Sequence, residues 1–399
     1  MAGSINDHNL SRRAFLQMGA LAGVGLAVTP GMSWLGASPA LAASTVAELP
    51  VLEGEFSVGN QKAMEVAAKS ELVKVGYGML LTVAEAIQDA ELKQATLDML
   101  VNPAPTYQLA SATAADKAAV REKLLAEKLI PEETTLEGIF VPVNDAKVAP
   151  QAFWSGPGSG YGSHHSYPGG LAVHVAYNAT IAQQMIQNYD NVYGKSVGAD
   201  SLPMNVDFAL AAPLWHDMQK GNVIQWNEDG SLFAEQQIAG TGAHHPLSGA
   251  EAIARGLPPQ FVLSLLSAHS APGLDTAAAV VDYARAAAII AGVDPGDYGL
   301  IVLDAESKYQ LNPQNLGPDA FINFLSDHDW ILSVHAAHVI IAELQAIAVE
   351  TYGIDAATDP AAFNAFRNQV FSTLSQIRLY SVFVAGGRDA VVKAIAPIV

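Results

Sequence analysis

The sequence predicts an all-α protein, and three observations carry that prediction. Apolar residues recur at helical spacing through most of the chain. Proline, glycine and asparagine clusters punctuate these segments. The one stretch with strand-and-turn chemistry is short: Val223-Ile224-Gln225-Trp226 and Ser231-Leu232-Phe233 flank Asn227-Glu228-Asp229-Gly230, which reads as a small hairpin.

In chain order, residues 46–60 read as extended or loop. Residues 61–92 place Met64, Val66, Ala67, Leu72, Val75, Met79 and Leu80 at helical spacing. The helical pattern continues to Leu100, where Asn102-Pro103-Ala104-Pro105 stops it. Residues 113–129 form another amphipathic helix, closed by Pro131. This region has no histidine and reads as a helical cap or a wall for substrate. Between Phe153 and Gly170 the composition turns to glycine with aromatics, which suits the mouth of a pocket. Helices then follow at 171–187, 206–220, 246–255, 259–269 and 275–291, with two or three more from Phe321 onward. The expected organisation is a leader at 1–42, an N-terminal helical region at 43–150, a core at 151–300 and a C-terminal helical extension at 301–399.

Half of the 399 residues are hydrophobic and 15% are charged, so a sizeable core is available. The formal charge of −19 argues against tracking nucleic-acid phosphates, which requires Lys and Arg. Cysteine is absent, which removes disulfides, iron–sulfur clusters, thiolate metal sites and cysteine nucleophiles. Any metal must be held by His, Asp or Glu.

Leu10-Ser11-Arg12-Arg13-Ala14-Phe15-Leu16 resembles the twin-arginine export motif. A Gly- and Ala-rich apolar run from Met18 to Val28 and the small residues Ala40-Leu41-Ala42 follow it, as in a cleaved signal peptide. The resemblance implies passage through the twin-arginine export machinery to the periplasm or beyond. No later segment holds 18 uninterrupted apolar residues, so no stable membrane span is expected after cleavage.

Chemistry concentrates around Trp215-His216-Asp217-Met218-Gln219-Lys220, where an apolar run delivers an adjacent His and Asp. Neighbours on a helix point about 100° apart, so the pair suits one metal from two sides, or a carboxylate bridging two metals. Other candidates flank it in order: His164-His165-Ser166-Tyr167 and His174 before, then His244-His245-Pro246-Leu247-Ser248-Gly249, His269 and Asp282 after. Imidazoles and carboxylates without thiolates suit one or two divalent ions of Fe, Mn, Co, Ni or Zn. Each residue also has a structural reading. His174, His245 and His269 serve equally as core histidines, Asp282 as a partner for Arg285 at i+3, Lys220 as a solvated charge, and His164, His165 and Tyr167 as loop polarity. It is the order of the whole set that favours metal binding.

That order resembles the HD-domain superfamily of metal-dependent phosphohydrolases, over roughly residues 160–295. The resemblance implies metal ligands at His174, His216, Asp217, His245, His269 and Asp282. His245 is preferred over His244 by its spacing to Gly249, as in a His-Pro-x-x-Gly motif. Lys220 matches a phosphate-contacting lysine, and His165 and Tyr167 would orient substrate. The implied activity is hydrolysis of a small phosphomonoester or phosphodiester by a metal-activated hydroxide, with Asp217 and Lys220 as the catalytic pair. A di-iron oxygenase of the same fold is the rival reading. A non-catalytic metal-binding relative is a third, supported by Gln219 where the family has Gly. The segment Ser326-Asp327-His328-Asp329, with His335 and His338, reads as a helix cap followed by buried or interface histidines; a contribution to the pocket is the alternative.

Overall fold

The computed structural model describes residues 46–198, 201–273 and 276–399. The leader expected at 1–42 and Asp275 lie outside the described residues. Helix makes up 60% of the structure and strand 3%, so the all-α class holds.

The long periodic stretch at 61–92 is two helices, α1 (Val58–Ala68) and α2 (Glu71–Ala86). They part at Ser70, whose hydroxyl accepts from Val73 N and so caps α2. α3 (Ala90–Val101) is capped by Asp89, and α4 (Ala114–Ala126) starts with a capping box between Thr113 and Asp116. The central helix is α5 (Gly170–Tyr189), packed between α2, α6 (Val206–Trp215) and α10 (Pro318–Ser326). Its start needs glycine twice. Gly169 has φ 85°, and a Cβ at Gly170 would collide with the His165 carbonyl.

α7 (His244–Ala254), α8 (Pro259–Leu266) and α9 (Ala277–Ile290) complete the main core, which buries Trp215, Phe261 and Ile290. Beyond α10 the chain adds α11 (Trp330–Ile347), α12 (Pro360–Leu374) and α13 (Gln376–Ile395), in keeping with the two or three helices expected there. These last helices bury a second core of Ile340, Leu344, Phe363 and Phe371, which Tyr167 joins.

The expected hairpin at 223–233 reduces to one antiparallel bridge, Trp226 with Leu232, because Val223 belongs to a helical turn at Lys220–Val223. A hairpin not expected from the sequence pairs Ile301–Leu303 with Tyr309–Leu311. The stretch Pro318–Tyr352 has the length and composition of a bilayer span. It is broken between Ser326 and Trp330, however, and α11 packs Ile340 and Leu344 into the second core.

Candidate metal centre

Of the chain's 11 histidines, His164, His165, His174, His216, His244, His245 and His269 gather in one region, with Asp217, Asp327 and Asp329 among them. Several of these side chains come from helix C-terminal ends. α6 stops at Trp215, and the chain turns tightly through His216 and Asp217 to Lys220, whose N–H bonds the Asp217 carbonyl at 2.9 Å. The doublet therefore sits on a turn and not within a helix. Its two side chains converge, with His216 Nε2 3.3 Å from Asp217 Oδ2. His269 follows the end of α8 and Asp327 the end of α10. Unpaired carbonyls at helix C-termini give these ends partial negative charge, which favours a cation between them.

Asp217 is the hub and is fully buried. Its Oδ2 lies 3.2 Å from His174 Nε2 and 3.3 Å from His216 Nε2. Its Oδ1 lies 3.2 Å from His244 Nε2 and 3.8 Å from His269 Nε2. Each oxygen thus faces its own pair of imidazoles. Asp327 adds Oδ1 at 3.2 Å from His174 Nε2, and its Oδ2 lies 3.8 Å from His269 Nε2.

The remote nitrogen of each of these imidazoles is held. His174 Nδ1 donates to Asp329 Oδ1 at 3.1 Å, His216 Nδ1 to the Pro213 carbonyl at 2.8 Å, and His244 Nδ1 to Glu235 Oε2 at 2.7 Å. His269 Nδ1 pairs with Thr241 Oγ1 at 3.1 Å. A proton fixed on Nδ1 leaves the Nε2 lone pair facing inward, the tautomer a metal requires.

The buried atoms His216 Nε2, Asp217 Oδ1 and His244 Nε2 have no hydrogen-bond partner. They are close to other polar atoms but not aligned with them. Ligands about 2.1 Å from one ion lie about 3.0–3.4 Å apart, the range of the short separations here. Four carboxylates (Asp217, Glu235, Asp327 and Asp329) face one ammonium, that of Lys220, a charge imbalance that cations resolve. The His and Asp side chains are close enough to hold a metal ion.

Protonation follows from the same contacts. Burial opposes charge on His174, but hydrogen bonds to Asp217, Asp327 and Asp329 outweigh it and hold the imidazole pKa well above its usual value. His216 is likewise raised to about 9, the charges of Asp217 and Asp327 overcoming burial. Asp217 and Asp327 are held well below the carboxylate range despite burial, chiefly by His216. Without metal, imidazolium protons occupy the cation's place.

The structure corrects several expectations. His245 does not face Asp217; its Nε2 donates to the Leu266 carbonyl at 2.9 Å, and its ring stacks on His269 at 4.0 Å. His244, the first residue of α7, takes the inward position. Asp282 lies on α9, half-exposed and paired with Arg285 at 2.8 Å, because its turn of that helix faces away from the centre. The carboxylate that reaches the cluster is Asp327, from beyond residue 300.

The expected cap at Ser326 and Asp329 does not form. Ser326 donates to the Asn323 carbonyl, and Asp329 spends both oxygens on His165 and His174. His165 and Tyr167 do not reach substrate space. The Tyr167 hydroxyl donates to His165 Nδ1 at 3.1 Å, His165 Nε2 donates to Asp329 Oδ2 at 2.9 Å, and the relay ends on His174. His335 and His338 are exposed, with His335 bonded to the Tyr380 hydroxyl. Gln219 turns away to bond Asn222, so the departure at this position leaves the centre untouched.

A cavity of about 320 Å³ opens onto the cluster, with Ser159, His164, Lys220, Phe324, His328 and Trp330 on its lining. Lys220 Nζ is buried, donating to Asp217 Oδ2 at 2.5 Å and to the Gly158 carbonyl at 2.6 Å. The glycine-rich segment thus approaches the site through Gly158 and Ser159, while Phe153 and Trp154 pack into the core. No residue of 46–150 lines this cavity. A larger hollow of about 800 Å³ beside Gln88, Asp207 and Asp319 contains no imidazole or lysine.

No protein family, curated protein or solved structure matches the chain.

Proposed function

We propose that the chain is an exported HD-type phosphohydrolase that binds a pair of divalent metal ions and hydrolyses a small phosphoester. The observation that carries this reading is Asp217, which offers one oxygen to His174 and His216 and the other to His244 and His269. One ion would be held by His174, His216, Asp217 and Asp327, the other by Asp217, His244 and His269, with Asp327 Oδ2 nearby. Bound divalent ions supply Lewis acidity, activating water and neutralising charge on a phosphoryl group.

The remaining work falls to the chain. Lys220 Nζ, on the cavity wall, supplies positive charge to a phosphoryl oxygen or a proton to the leaving oxygen. Asp217 and the Gly158 carbonyl hold that ammonium in place. The relay Tyr167–His165–Asp329 keeps His174 oriented. The twin-arginine resemblance of residues 10–16 supports export.

The test is anaerobic incubation of metal-reconstituted protein with phenyl phosphate, reading inorganic phosphate. Release without oxygen supports the hydrolase. Oxygen uptake in a parallel aerobic incubation, with no phosphate release in either arm, supports the di-iron oxygenase instead.

A further inference from the structure

The geometry points to a substrate that joins one anionic group to an aromatic ring, with the ring lying on Trp330. The inference rests on the phosphoester reading only for the identity of the anion.

The cavity has two chemically distinct halves. Its floor is polar, with His174, His244, His269, Asp327 and Lys220. Its other wall is Phe324, His328 and Trp330, supplied by the junction of α10 and α11. That wall is set before any ligand arrives. His328 Nδ1 donates to the Phe324 carbonyl at 2.7 Å, its ring meets Phe324 edge-on at 4.7 Å, and the Trp330 ring lies 6.3 Å further on. Trp330 is nonetheless 44% exposed at the mouth. A large ring left in water beside a rigid aromatic edge gains most from a planar partner, through burial and offset stacking.

Charge limits the other end of the ligand. Among the described residues, Lys220 is the sole Lys or Arg on the lining, and Asp217 already engages it. Beyond the proposed ions, a polyphosphate would find no further Lys or Arg on the described lining to meet its additional charges. The volume of about 320 Å³ admits one head group and a ring.

Affinities of phenylphosphonate and n-butylphosphonate for the metal-loaded protein, measured by calorimetry, test the inference. Both carry the same anion, and neither needs turnover. Phenylphosphonate should bind about tenfold tighter, the scale of an aromatic pair added to its burial. In Trp330→Ala the ratio should fall to within about twofold, and Trp330→Phe should keep most of it. Equal affinities in the parent protein, or a ratio that survives Trp330→Ala, overturn the inference. If neither phosphonate binds, the phosphoester reading fails by itself. Quenching of tryptophan fluorescence by phenol then decides the wall: quenching lost in Trp330→Phe supports the ring site, and no such quenching overturns it.

Discussion

Asp329 Oδ1 holds the Nδ1 proton of His174 at 3.1 Å, on the side of the imidazole opposite Asp217. The carboxylate thereby fixes which nitrogen of His174 faces the centre. Carboxylates in this relation to a metal-binding histidine sustain affinity without touching the metal. Asp329→Ala should therefore weaken metal binding about 10- to 100-fold in chelator competition. An unchanged affinity would remove Asp329 from the site.

Asp217→Ala removes both inward oxygens at once. It should leave metal content near zero by elemental analysis, with helix content by circular dichroism largely intact. A fully metallated variant would contradict the bridging position of Asp217.

The adjacent histidines of α7 give opposite outcomes. His244→Ala should lower the number of ions bound, since its Nε2 faces Asp217 at 3.2 Å. His245→Ala should cost about 2 kcal/mol or more of stability, leaving a cavity and an unpaired Leu266 carbonyl. Its metal stoichiometry should stay that of the parent protein.

Asp282→Ala should retain all metal. Its ion pair with Arg285 is partly exposed, and loss of such a pair costs at most about 1 kcal/mol. Reduced metal content would restore Asp282 as a ligand.

Acid and alkali should both destabilise the metal-free protein, for separate reasons. The His216 pKa rises from 6.5 to about 9 on folding, so its contribution is full below 6.5 and lost as pH rises through about 9. The Asp217 and Asp327 pKa values fall, so their contributions are present above the ordinary 3.8 and lost as pH drops below it. Metal must displace the imidazole protons, so uptake should release protons and strengthen with rising pH toward about 9. Melting temperatures of chelated and loaded protein across this range check both signs. A chelated protein that keeps its stability above pH 9 would contradict the His216 assignment.

Much of the fold and part of the centre were legible in the residues themselves. Helical periodicity found most helices because burying one face of a helix leaves a local, repeating trace. Ser70 escaped because a serine that caps one helix looks like any polar residue within a longer one. His174, His216, Asp217, His269 and Lys220 stood out as polar groups against apolar runs. Asp327 followed the same grammar, an apolar helix, Phe321 to Leu325, ending in acid and histidine. That signal was present, but capping explained it as well.

The sequence by itself determined the helical class, the absence of thiolate chemistry, and the supply of imidazoles and carboxylates. Only the tertiary structure decided which of them meet. His244 and His245 are chemically identical and adjacent, and the direction in which α7 docks sends one to Asp217 and the other to Leu266. Asp282 and Asp327 were equally eligible, and the crossing of α10 over α5 and α6 selected the second. A ligand set is a relation between helix orientations, and orientation arises from packing among residues far apart in the chain.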